Sequence, residues 1–159
     1  MNLYYDVGIG QSVLCIVFFG ILVVISILDL YKMKIPNYLC VSILTIGFIS
    51  IFFIKEISIM DRLMGFFVVS IPMLLISAIL QKGFGGGDIK FVACAGVFLG
   101  WKLVLLSTIF ALIFTGIYII ISLIAGDKSI KSGFALGPFL SIGMIMSCLI
   151  GRQMWQIMF

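Results

Sequence analysis

Residues 12–37 read SVLCIVFFGILVVISILDLYKMKIPN. No charge interrupts positions 12–28, and the run then ends on Asp29, followed by Lys32, Lys34 and the tripeptide Ile35-Pro36-Asn37. An apolar stretch of about 17–25 residues is the length a helix needs to cross the hydrocarbon core of a bilayer. A carboxylate at its end, followed by lysines and a proline, predicts a transmembrane helix that stops at a membrane–water boundary and a second that starts near Pro36. The run is expected to be a retained span rather than a cleaved signal. It lacks a basic n-region and an A-x-A site, carries Asp6 upstream and is followed by further apolar runs.

Those runs lie at 37–54, 63–80, 103–125 and 137–155, with a shorter, small-residue-rich candidate at 89–101. Of the 159 residues, 64% are apolar and 10% charged, and the mean hydropathy is +1.37. A soluble domain carries about 25% charged residues, so this chain requires lipid as its solvent. The expected fold is all-α: a polytopic membrane helix bundle of about six transmembrane helices, forming a single domain over residues 1–159. No Lys or Arg precedes the first span, which predicts an outside N-terminus. Lys32, Lys34, Lys82, Lys90, Lys128 and Lys131 then fall on the cytoplasmic side, and Lys55, Arg62, Lys102 and Arg152 on the other. Gly96 and Gly100, and Gly143, Ser147 and Gly151, have the small-residue spacing of close helix contacts. Pro72 predicts a kink in the third span.

The net charge of +4 is scattered between apolar runs, a pattern suited to lipid headgroups and not to nucleic acid. Cys15, Cys40, Cys94 and Cys148 form no C-x-x-C pair, and the chain has no histidine. These absences argue against a metal centre and exclude Ser-His-Asp and Cys-His catalysis. No cofactor is expected. Any acid–base chemistry falls to Asp6, Asp29, Glu56, Asp61, Asp88 and Asp127. Glu56 beside Lys55 and Asp61 beside Arg62 read as solvated loop charges. Asp127 stands beside Lys128, and Ser129 or Ser132 with Lys131 offers a weak Ser-Lys alternative.

Asp29 and Asp88 differ from the rest, because both border long apolar runs where an ionisable group is costly. Either alone could be an interfacial Asp paired with a nearby Lys. On the six-span topology both reach the same cytoplasmic boundary, where two carboxyls can share one water. Two carboxylates in one site do not both ionise readily, so one acts as base while its protonated neighbour polarises a carbonyl. Asp88, at a helix N-terminus, is the expected base, and Asp29, near a helix C-terminus, the expected proton donor. Gly85, Gly86 and Gly87 before Asp88 permit close approach of an extended substrate. Gly137-Pro138 is expected to open the last span. A small proton- or cation-coupled transporter using the two aspartates as ion sites is the alternative, though no internal repeat is found. A non-catalytic assembly protein is a third reading.

The motifs resemble those of the type IV prepilin peptidases and the related archaeal preflagellin peptidases. Asp29 with Ile35-Pro36-Asn37 is similar to the family's first signature, and Gly85 through Lys90 matches its G-x-G-D-x-K. Leu136-Gly137-Pro138-Phe139 resembles its G-P-F before the last helix. The resemblance implies Asp29 and Asp88 as catalytic aspartates. Gly85, Gly86, Gly87, Lys90, Ile35, Pro36, Asn37, Gly137 and Pro138 would shape the site or bind substrate. It further implies cleavage of the basic leader of prepilin-like proteins (type IV pilins, Tad pilins or preflagellins). The enzyme would lie in the inner (plasma) membrane, with the site facing the cytoplasm. Long family members add a methyltransferase region with paired C-x-x-C motifs. None occurs in these residues, so peptidase activity alone is expected.

Overall fold

The computed structural model describes the backbone over residues 9–80, 83–125 and 135–158, and side chains as far as residue 150. Asp6, Lys82, Asp127, Lys128, Ser129, Lys131 and Ser132, weighed above, lie outside the described residues, as does the side chain of Arg152. The described residues form six helices and no strand: α1 (Ile9–Lys32), α2 (Asn37–Phe53), α3 (Ile59–Val68), α4 (Ser70–Ile79), α5 (Gly86–Ile124) and α6 (Gly137–Met158). Three stretches, Ile9–Lys32, Ile59–Ile79 and Gly86–Ile124, are long and apolar enough to cross a membrane; Asn37–Phe53 and Gly137–Ile150 are shorter apolar helices. The chain is an all-helical integral membrane protein.

Two interruptions shape the bundle. Between α3 and α4, Val69 has φ −103° and ψ −38°, and Pro72 sits three residues on. Proline lacks the N–H that would bond the carbonyl four residues back, and its ring crowds that carbonyl, so the helix breaks one turn before Pro72. The Ser70 hydroxyl donates to the Phe66 carbonyl at the break. The second interruption separates the expected 89–101 and 103–125 segments. They are joined without a loop, in one element whose Gly100 alone is non-helical, at φ 77° and ψ 168°. A straight 39-residue helix would run about 58 Å, nearly twice the hydrocarbon thickness. Positive φ is open to glycine at little cost, and Gly100 divides the element into pieces of ordinary length.

α5 is the central element, packing against α2, α3, α4 and α6, while α1 packs on α2 and α6. The crossing of α3 and α5 relies on glycine. A Cβ on Gly65 would lie 2.4 Å from the Gly96 carbonyl oxygen, and one on Gly96 would lie 2.1 Å from that of Gly65. α6 meets α5 in the same way, a Cβ on Gly143 falling 2.2 Å from the Ser107 carbonyl oxygen. In lipid, where apolar burial gives no drive for helices to associate, such close backbone contact is what holds them together. Phe18 of α1 stacks on Phe98 of α5 at 4.3 Å between centroids, and Cys40 and Cys94 lie buried in the core.

The reading of Asp61, beside Arg62, as a solvated loop charge is corrected. Asp61 closes a capping box at the start of α3: Met60 N–H donates to Ser58 Oγ at 3.1 Å, and Ser58 N–H donates to Asp61 Oδ2 at 3.3 Å. Its other oxygen accepts the Trp101 indole N–H at 2.9 Å. Arg62 is only 2% exposed. Its guanidinium donates to Ser50 Oγ at 2.6 Å and to the carbonyls of Val97 and Ile54 at 2.9 and 3.0 Å, with longer bonds to those of Gly47, Ser50 and Ile57. The planar guanidinium fork supplies several donors at once to carbonyls along and just beyond the end of α2. One cation thus fastens α2, α3 and α5 together.

Candidate active site

Asp29 lies in the last turns of α1 and is 4% exposed. The helix stops just beyond it. Met33 turns to φ 48°, and its N–H donates to the Asp29 carbonyl at 2.8 Å, a left-handed termination usually given to glycine. The carboxyl of Asp29 is held from the far end of the chain. Gly137 N–H donates to Asp29 Oδ2 at 2.8 Å across 108 residues. Gly137 is the first residue of α6, so this N–H is one of the donors that a helix start leaves unpaired. Pro138 next to it has no N–H to satisfy. The contact is too close for a side chain: a Cβ on Gly137 would sit 2.7 Å from Asp29 Oδ2 and 3.0 Å from its Cγ.

Asp88 enters from α5. Gly85 is the N-cap of that helix, so Asp88 stands in its first turn, at the helix N-terminus expected of it. Asp88 is the third residue inside, and its carboxyl reaches back to the Gly85 backbone, as the acidic member of a capping box does. Asp88 is half-buried. Asp29 at the close of α1 and Asp88 in the first turn of α5, 59 positions apart in sequence, lie at the same end of the bundle, where Gly87 packs on Ile35. The start of α6 puts a partial positive charge against Asp29, opposing the field from the end of α1. These opposed fields remove the dipole argument for placing the shared proton on Asp29.

The remaining motif residues join the same end. A Cβ on Gly87 would meet Ile35 Cβ at 3.2 Å, so the glycine run packs directly on the Ile-Pro-Asn segment. Lys90 Nζ donates to Asn37 Oδ1 at 3.4 Å, linking the first turns of α5 and α2. Pro36 is the N-cap of α2, one place before the first-turn position expected of it. A Cβ on Gly86 would meet nothing within 4 Å, so this glycine lines open space. Two contributors escaped the sequence reading. Ser77 Oγ donates to the Phe84 carbonyl at 2.6 Å, tying the glycine-rich turn to α4. Phe84 itself walls a cavity between α4, α5 and α6. A serine near the end of an apolar helix, followed by a glycine-rich turn, was the available signal for the first. Among the described residues, no group of three or more His, Cys, Asp or Glu side chains is placed to hold a metal.

The sequence is similar to those of known proteins. The family model described as "Type IV leader peptidase family" matches residues 16–120, which include Asp29, Asp88 and the Ile-Pro-Asn segment. The "Prepilin leader peptidase/N-methyltransferase" of Bacillus subtilis (strain 168) is 26% identical over 140 residues, covering 86% of this chain and 55% of the relative. The chain thus spans about half the length of that relative. No solved structure matches it.

Proposed function

Since the chain belongs to the type IV leader peptidase family, we propose that it is a membrane-embedded aspartic endopeptidase removing the basic leader of prepilin-like precursors. Asp29 and Asp88 are its acid–base pair. The observation that carries this reading is that the close of α1, bearing Asp29, and the opening of α5, bearing Asp88, stand at one end of the bundle, with Gly87 packed on Ile35 and Lys90 bonded to Asn37. One carboxylate takes a proton from water as its oxygen attacks the scissile carbonyl carbon; the other, protonated, donates to the carbonyl oxygen. Collapse of the resulting gem-diol transfers a proton to the nitrogen and breaks the C–N bond, leaving a carboxyl on the leader and an amine on the mature protein.

Gly137 N–H fixes one Asp29 oxygen and leaves the other for chemistry. The Ile35–Gly87 contact and the Lys90–Asn37 bond hold the two aspartate-bearing segments in register. Lys32, Lys34 and Lys90, close in sequence to the pair, favour a site on the cytoplasmic side of the plasma membrane. Main-chain pairing along the open Gly85–Gly86 edge suits an extended substrate. The four cysteines stand singly, and peptide cleavage without methyl transfer is the activity proposed for these residues.

The test is co-expression of a prepilin-type precursor with wild type, Asp29→Asn and Asp88→Asn, following precursor size. Shortening with wild type alone is expected. Shortening that persists with both variants removes the pair from the mechanism.

A further inference from the structure

Among the described residues, two side-chain hydroxyls are buried without a hydrogen-bond partner, Thr115 Oγ1 and Ser141 Oγ. Serines deep in this bundle otherwise bond back along their own helix. Ser50, Ser107 and Ser147 donate to the carbonyl three residues earlier, and Ser70 to the carbonyl four residues earlier. Ser141, 1% exposed on α6, takes neither the Gly137 nor the Pro138 carbonyl. An orphaned buried hydroxyl is uncommon, because it loses water and gains nothing in exchange.

Its place in the fold relates it to Asp29. Ser141 follows Gly137 by four residues, one turn on along the same face of α6. That face meets α1, where Gly137 N–H donates to Asp29 Oδ2 at 2.8 Å. One turn of helix rises about 6 Å over four residues, and a water bonded to two oxygens spans about 5.6 Å. The Cα–Cβ bond of a helical residue tilts towards the helix N-terminus, so the Ser141 side chain leans towards Gly137 and Asp29. Asp29 Oδ2 has two lone pairs, of which the Gly137 N–H uses one. We infer that Ser141 is a positioning residue for Asp29, its hydroxyl holding one water that donates to Asp29 Oδ2 beside the Gly137 N–H. The inference rests on the peptidase reading and adds a residue to it. With two donors on Oδ2 the carboxyl is fixed in rotation as well as in place, and its other oxygen is presented to the substrate. Thr115 belongs to a different seam. It lies one turn beyond Ala111 on the α5 face that meets Gly143, and Gly143 stands about 200° around α6 from Ser141.

The test compares the purified full chain with Ser141→Ala, Ser141→Thr and Thr115→Val in detergent, each cleaving a prepilin-type precursor. Ser141→Ala is expected to lower kcat roughly 10-fold, the scale of one hydrogen bond to a charged group, with KM and melting midpoint close to wild type. Ser141→Thr, which keeps the hydroxyl, recovers most of that rate. Thr115→Val, which removes the orphan in the other seam, leaves kcat unchanged. A crystal structure that resolves ordered waters shows one between Ser141 Oγ and Asp29 Oδ2. Asp29-dependent cleavage that Ser141→Ala supports within about 2-fold of wild type overturns the positioning role alone. An equal loss of kcat in Thr115→Val, marking a packing effect, also overturns it, as does a crystal structure with the Ser141 hydroxyl bonded back to its own helix. Cleavage that Asp29→Asn leaves intact, or no cleavage by wild type, overturns the peptidase reading and the positioning role with it.

Discussion

At Gly137 a single hydrogen atom separates a held carboxyl from a displaced one. Alanine there places a methyl 2.7 Å from Asp29 Oδ2, and the buried carboxyl has to move. A displacement near 1 Å in a reacting group costs on the order of 10²-fold. Gly137→Ala is thus expected to lower kcat/KM for leader cleavage by about that factor, with a melting curve close to wild type. Full activity in a folded Gly137→Ala protein excludes the N–H contact as a positioning device. Met33 offers a prediction of opposite sign. A non-glycine residue in the left-handed region costs about 1–2 kcal/mol, so Met33→Gly is expected to raise unfolding stability by up to about 1 kcal/mol in a detergent melt. The Asp29–Ile-Pro-Asn and G-x-G-D-x-K segments were legible in the sequence because their residue types are unusual beside apolar runs. The Gly137–Asp29 bond was not, since nothing local marks a contact across 108 residues. Gly137-Pro138 read as a helix start and, through the family resemblance, as part of the site, with no sign of the bond itself.

Among the elements, the chain's hydropathy marked where helices run, and Pro72 marked where one breaks. Polarity misled between α2 and α3. Lys55, Glu56, Asp61 and Arg62 look like an exposed turn, yet Asp61 closes the capping box of α3 and accepts from Trp101, while Arg62 is sunk among carbonyls of α2, α5 and the turn between α2 and α3. Burial is decided by which helices meet, and Gly65 and Gly96 bring α3 and α5 close enough to enclose the guanidinium. Arg62→Met keeps the length of the side chain and removes its donors. Several buried acceptors then lose partners at about 1–3 kcal/mol each, so a loss of at least about 3 kcal/mol is expected. Arg62→Lys recovers only part of it, since an ammonium lacks the fork. The readout is the unfolding midpoint in detergent. A variant Arg62→Met as stable as wild type contradicts the fastening role.

For the molecule as a whole, the bundle brings three separate stretches to one end: the close of α1, the opening of α5 and the opening of α6. Each gives one component of the proposed site, with Asp29, Asp88 and the Gly137 N–H arriving from different helices. The linkage between α2 and α5 through Lys90 and Asn37 predicts coupling. Lys90→Met and Asn37→Ala are each expected to reduce cleavage modestly, and the double variant to be no worse than the more damaged single. Fully multiplicative effects would mean the two residues act apart.

The central claim is that Asp29 and Asp88 work as one unit on one water. The most direct test is the cleavage rate of a prepilin-type precursor by purified Asp29→Asn, Asp88→Asn and the double variant, each verified as folded. Groups acting as a unit are strongly non-additive. Each single substitution is expected to lower the rate by about 10³-fold or more, and the double variant to be no slower than the slower single. A folded single variant that retains cleavage within about 10-fold of wild type, or a double variant whose losses multiply, contradicts the account.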